Sequence, residues 1–87
     1  MITVESFIKH EYGLGKQEIE VLKLLTLGND VKQIANKRFR STDTINTQII
    51  NIMRKFRVKT RYGICIKALQ AKLVNLEDIK IEIYERI

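Results

Sequence analysis

Apolar side chains recur at three- and four-residue intervals through most of this chain, the spacing that lines one face of an α-helix. Val4, Phe7, Ile8 and Tyr12 keep that period, so residues 3–12 read as a short amphipathic helix closed by Gly13. Ile19, Leu22 and the Leu24-Leu25 pair form a second stripe over residues 16–26, with Gly28 as its stop signal. A third helix over residues 31–38, capped by Asn29 or Asp30, contributes Val31, Ile34 and Ala35 to the core. The clearest pattern begins at Ser41, a good N-cap, with Asp43 suited to the positive end of the helix dipole. Ile45, Ile49, Ile52, Met53 and Phe56 then make one continuous stripe, giving a helix over residues 42–57. A last helix starts at Thr60 or Arg61 and runs to about Leu73, with Ile64, Ala68 and Leu69 toward the core.

The tail follows a different rule. Ile79, Ile81 and Ile83 alternate with Lys80 and Glu82, a strand pattern, while Leu76, Ile79, Ile83 and Ile87 also fit a helix capped by Asn75. The β-branched run favours a short strand, which needs a partner to pair with. The expected organisation is an N-terminal helix over residues 1–13, a domain over residues 14–73 and a C-terminal extension over residues 74–87.

Two apolar or polar faces remain after the core is assigned. Opposite the stripe of helix 42–57 stand Asn46, Thr47, Ile50, Asn51 and Arg54. Packing alone does not call for amides and a hydroxyl gathered there, and such groups bond base edges or phosphates. Ile50 among them either meets a thymine methyl or is merely tolerated. On the last helix, Tyr62, Cys65, Ile66 and Leu73 form a surplus apolar strip. It is either a contact with a second copy of the chain or a seat for the N-terminal helix.

Composition narrows the class. A chain of 87 residues with 45 % apolar content makes one folded domain with a modest core. No apolar run is long enough to span a bilayer, and residues 1–16 lack a signal-peptide layout. One cysteine, Cys65, builds no disulfide framework within the chain, which fits a reducing cytoplasm. The net charge is +6, but residues 32–61 hold nine bases against Asp43 alone. That segment therefore has a surplus of eight positive charges, and the remainder is mildly acidic. A concentrated basic block is the footprint expected for a polyanion partner.

Enzymatic chemistry finds little support. His10 is the only histidine and lies far in sequence from Cys65, leaving no metal set and no Cys–His pair. Glu18 and Glu20, two residues apart on a helix, point to different faces and read as surface or capping carboxylates. Gly13-Leu14-Gly15 lacks the further glycine and the preceding strand of a nucleotide loop. Neither a cofactor nor a metal is expected. An RNA reader would need exposed aromatic platforms; Phe39 and Phe56 read as structural, which leaves Tyr62 as the sole candidate near the basic block.

Residues 14–61 resemble, without a gap, the DNA-binding domain of the LuxR/GerE-type bacterial transcription regulators. The family's opening leucine and Glu-x-Glu-Val-Leu are matched by Leu14 and by EIEVL at residues 18–22, followed by Gly28 and by KQIA at residues 32–35. Ser41, Thr44 and Ile45 match its Ser-x-x-Thr-Val, and Ile52, Lys55, Phe56, Val58 and Arg61 match its closing positions. The short chain is most similar to the free-standing GerE type. There are departures. Gly15 and Gln17 replace a threonine and an arginine, which weakens the first-turn cap. Arg38 and Arg40 replace a leucine and an aliphatic residue, so Phe39 is expected to supply the missing apolar contact. Gln48 stands for a frequent histidine, and Asn46 and Ile50 for common lysines, so the base sequence read should differ from the family's usual one.

The resemblance implies an all-α fold: a four-helix LuxR-type helix-turn-helix domain, here with an extra N-terminal helix and a short C-terminal extension. It implies a cytoplasmic regulator that binds double-stranded DNA, with helix 42–57 in the major groove. Asn46, Thr47, Ile50 and Asn51 would read bases. Lys32, Arg40, Thr44, Gln48, Arg54, Lys55 and Arg61 would hold the DNA backbone, although Lys55 could equally serve at the edge of the core. A homodimer would form through Tyr62, Cys65, Ile66 and Leu69. The alternative reading is a protein-interaction module on the same scaffold that grips another transcription protein, a regulator or RNA polymerase.

Overall fold

A computed structural model describes residues 2–79. Among them are five α-helices and no strand. Helix α1 spans Val4–Tyr12, α2 Lys16–Thr26, α3 Val31–Arg38, α4 Thr42–Phe56 and α5 Arg61–Gln70.

Each helix starts where a polar group satisfies a free backbone N–H. The Thr3 hydroxyl accepts from the Ser6 N–H at 3.1 Å, Ser41 from Thr44 at 3.2 Å and Thr60 from Gly63 at 3.2 Å. Asp30 forms a reciprocal box with Gln33, each side chain accepting from the other's N–H at 2.8 Å. Gly15 has no side chain to cap α2, and the Glu18 carboxylate reaches back instead to the Gly15 N–H at 2.9 Å.

Helix α5 is shorter than its apolar spacing predicts. It ends at Gln70, Lys72 turns left-handed at φ 60°, and the Leu73 N–H returns to the Ala68 carbonyl at 2.9 Å. The reversal folds Leu73 back against the core, so its side chain packs from beyond the helix rather than along it.

The core gathers Ile8 and Leu14, Ile19, Val21 and Leu22 of α2, Ile34 and Ala35 of α3, four residues of α4 (Ile45, Ile49, Ile52, Phe56), and Ile64 and Ala68 of α5. Helix α2 packs against α3, α4 and α5, while α3 and α5 flank α4. Helix α1 closes one end: Tyr12 meets Phe56 edge to face with centroids 4.6 Å apart, and the Lys67 ammonium lies 5.3 Å from the Tyr12 ring centre. A Glu5–Lys23 ion pair ties its start to α2. Helix α1 thus borders Lys67 and Gln70 of α5 and Ala71 just beyond it, and the Tyr62–Ile66 side stays open, with Tyr62 79 % and Ile66 54 % exposed.

Two expectations meet different fates. Phe39 does not supply the apolar contact expected of it, because it ends α3 in the left-handed conformation and stands 90 % exposed. The tail alternation from residue 79 onward falls, apart from Ile79, outside the described residues. Before it, Leu76–Asp78 make a single 3-10 turn.

Candidate nucleic-acid interface

Helix α4 is divided lengthwise. Ile45, Ile49, Ile52 and Phe56 are buried, and that anchoring fixes which side chains look outward. Thr47, Ile50 and Arg54 are exposed, with Asn46 and Asn51 half-buried beside them. Asp43 shares this outer face at three- and four-residue spacing from Asn46 and Thr47. It is the single acid in the block, and the helical repeat from Asn46 back to residue 43 was the signal that places it there. Lys32 in the first turn of α3, Arg40 in the turn before α4 and Thr44 in the first turn of α4 are exposed.

Three residues expected near a backbone have partners or surroundings of their own. The Lys55 ammonium donates to the Glu18 carboxylate at 2.6 Å and to the Gly13 carbonyl at 3.0 Å. One carboxylate thus caps α2 and holds α4, a link between positions 37 apart that no local pattern reveals. The Gln48 amide oxygen is enclosed and has no hydrogen-bond partner among the described residues. Arg61, at the first position of α5, donates from Nη2 to the Asn46 amide oxygen at 3.1 Å.

The expected self-association residues lie together on α5. Tyr62 and Ile66 are exposed, Cys65 and Leu69 half-buried. Leu25, Arg61, Tyr62 and Cys65 line an open groove of about 310 Å³. Burial pushes the Cys65 thiol pKa up, against a smaller opposing effect of a hydrogen bond with Thr26, so the thiol stays protonated at neutral pH. His10 is exposed on α1, and among the described residues no group of three His, Cys, Asp or Glu is placed to hold a metal. No described helix is long and apolar enough to cross a membrane.

A short α3, a tight turn and a capped α4 whose outer face is polar, within a basic segment, define a helix-turn-helix domain. Residues 13–68 match the family described as bacterial regulatory proteins, luxR family, and the chain belongs to it. It is 36 % identical over 62 residues to the oxygen regulatory protein NreC of Staphylococcus carnosus, covering 71 % of this chain and 29 % of that protein. It is 35 % identical over 71 residues to the transcriptional regulatory protein LiaR of Bacillus subtilis, covering 82 % of this chain and 33 % of that protein. The chain therefore spans about a third of the length of these relatives. No solved structure matches it significantly.

Proposed function

We propose that this protein is a cytoplasmic transcription regulator that binds double-stranded DNA sequence-specifically, with α4 in the major groove, acting as a homodimer. The observation that carries the reading is the outer face of α4: hydrogen-bonding side chains of the kind that read base edges, inside a segment with a surplus of eight positive charges. The relatives' names, an oxygen regulatory and a transcriptional regulatory protein, agree with it.

In this proposal Asn46, Thr47, Ile50 and Asn51 face the bases, with the Ile50 side chain suited to a thymine methyl. Lys32, Arg40, Thr44 and Arg54 grip phosphates on either side, and the Gln48 amide nitrogen adds a donor. Lys55 acts as a clamp between α2 and α4, since Glu18 already neutralises its charge. The open α5 strip of Tyr62, Cys65, Ile66 and Leu69 joins two copies on a two-fold site. The domain that binds is residues 14–73, with α1 as a brace across α2, α4 and α5.

The test is selection of duplex DNA from a randomised pool at several salt concentrations. A palindromic enriched site and a steep fall of affinity with salt support the proposal. Weak binding with no enriched site would leave the exposed Phe39 and Ile50 as contacts for another transcription protein, and the DNA reading would be abandoned.

A further inference from the structure

We propose that Arg61 is a positioning residue that sets which base edge Asn46 reads, rather than a grip on the phosphate backbone; this rests on the DNA-binding reading above. Arginine carries only donors, so the Asn46 atom that faces it at 3.1 Å is the amide oxygen. The amide is thereby oriented by chemistry, with its two N–H groups left to face outward.

Arg61 is well placed for this. Its backbone is held by the Thr60 cap, whose hydroxyl accepts from the Gly63 N–H at 3.2 Å. It lines the open groove together with Leu25, Tyr62 and Cys65, and the residue is exposed. Asn46 is half-buried at the edge between the core stripe and the outer face of α4, within reach of both α5 and a bound duplex.

The consequence is a stated preference. A free asparagine pairs with adenine through both oxygen and nitrogen. With its oxygen turned toward Arg61 and not toward the duplex, Asn46 presents its N–H donors to the bases, and the complementary edge is an acceptor: purine N7, guanine O6 or thymine O4. The positive charge beside the amide oxygen also polarises the amide and strengthens its donors.

The experiment compares sites enriched by the wild type, Asn46→Ala, Arg61→Ala, Arg61→Lys and the double Asn46→Ala/Arg61→Ala variant, with the melting temperature of each. Arg61→Ala is expected to relax the same base position as Asn46→Ala, losing about tenfold discrimination there. The double variant should relax it no further, and Tm should hold, because the bond is exposed. Arg61→Lys, which keeps the charge but not the fork, should also relax that position. If Arg61→Ala instead lowers affinity for all sites alike, flattens the salt slope by about one unit and leaves the motif intact, Arg61 is a phosphate anchor and the proposal fails. If the wild type enriches no site, the DNA reading itself falls, and this inference with it.

Discussion

A residue with positive φ follows each of the five helices; after α2 it is Gly28, and the half-buried Asn29 beyond it donates to the Leu24 carbonyl, while of the other four ends three are alike and one is not. After α1, Gly13 turns and Leu14 drops into the core, only 3 % exposed. After α4, Arg57 turns at φ 59° and Val58 packs against the core, its N–H returning to the Met53 carbonyl at 3.0 Å. Lys72 and Leu73 repeat this after α5. After α3 the backbone does the same thing, with the Arg40 N–H on the Ala35 carbonyl at 3.0 Å, yet the turning residue is Phe39 and the next is Arg40, both exposed. Three ends use the turn to seat an apolar side chain, the usual companion of this motif. The fourth, at the entrance to α4, presents an aromatic ring and a charge to the outside. Stability is gained at the ends that only hold the domain together and given up at the one beside the proposed DNA contact.

The largest test of the comparison lies at the Val58 end. A Cβ on Gly63 would sit 2.8 Å from the Val58 Cβ, closer than packed atoms come, with no flexible tip to move aside. Inside a helix alanine normally gains about 1 kcal/mol over glycine. Here overpacking of roughly 1–3 kcal/mol should outweigh that gain. Gly63→Ala is expected to lower Tm by several degrees, measured by thermal unfolding. A raised Tm would show that Val58 does not lock α5 and that this end is no tighter than the α3 end.

Next come the turning residues themselves. A left-handed conformation costs an L-residue about 1–2 kcal/mol, partly offset in glycine by its greater freedom when unfolded. Phe39→Gly should therefore stabilise the domain by about 1 kcal/mol, and so should Arg57→Gly, since φ is 55° and 59° at the two sites. The two should diverge in DNA affinity. Only Phe39→Gly removes a side chain beside the N-terminal half of α4, so it should weaken binding while raising Tm. Equal binding by both variants would mean that the exposed ring has no part in recognition.

A smaller effect should follow from making the odd end regular. Arg40→Val restores an apolar residue where Val58 and Leu73 stand after their own turns. Partial burial of that side chain is expected to add under about 1 kcal/mol, read from the urea midpoint. Loss of a phosphate contact should flatten the salt dependence of DNA binding by about one unit. Unchanged salt dependence would remove Arg40 from the proposed backbone contacts.

Much of this was legible in the chain because it is local. The stripe from Ile45 to Phe56, the Ser41 cap and the choice of Asp30 between two candidate caps all follow from side chains within one turn of the feature they set. The end of α5 was not legible: Leu69 and Leu73 keep a helical spacing, and Lys72 carries no mark of a left-handed residue as a glycine would. Phe39 misleads for the converse reason, since an aromatic residue in a short turn reads as core until the backbone reversal points it outward. The Lys55–Glu18 and Arg61–Asn46 bonds join residues distant in sequence, and only the packing of α4 against α2 and α5 brings them together. The expected reading face is placed as the helical repeat requires; what the repeat could not show is that Asn46 has its oxygen already bound.

The smallest effect concerns α1, whose far end is regular but whose near end rests on an exposed pair. The hydrogen bond and charge of Lys23 hold the Glu5 carboxyl below the ordinary carboxylate pKa, and the same bond to Glu5 raises that of Lys23. A carboxyl depressed on folding adds stability above its unfolded pKa and loses it as pH falls through the folded one. The contribution of the pair should thus be full at neutral pH and fade on acidification through and below the usual carboxylate range. For Lys23 the sense is opposite, its share persisting until pH rises through the raised value. Both groups lie in contact with water, so screening keeps the effect small. Urea midpoints at pH 7 and pH 3.5 for the wild type and Glu5→Gln check this: the variant should be slightly weaker at pH 7, and the gap should narrow at pH 3.5. A difference that stayed undiminished in acid would assign the role of Glu5 to packing of its stem. Leu14 in the core, rather than the ion pair, would then be what α1 shares with the other two regular ends.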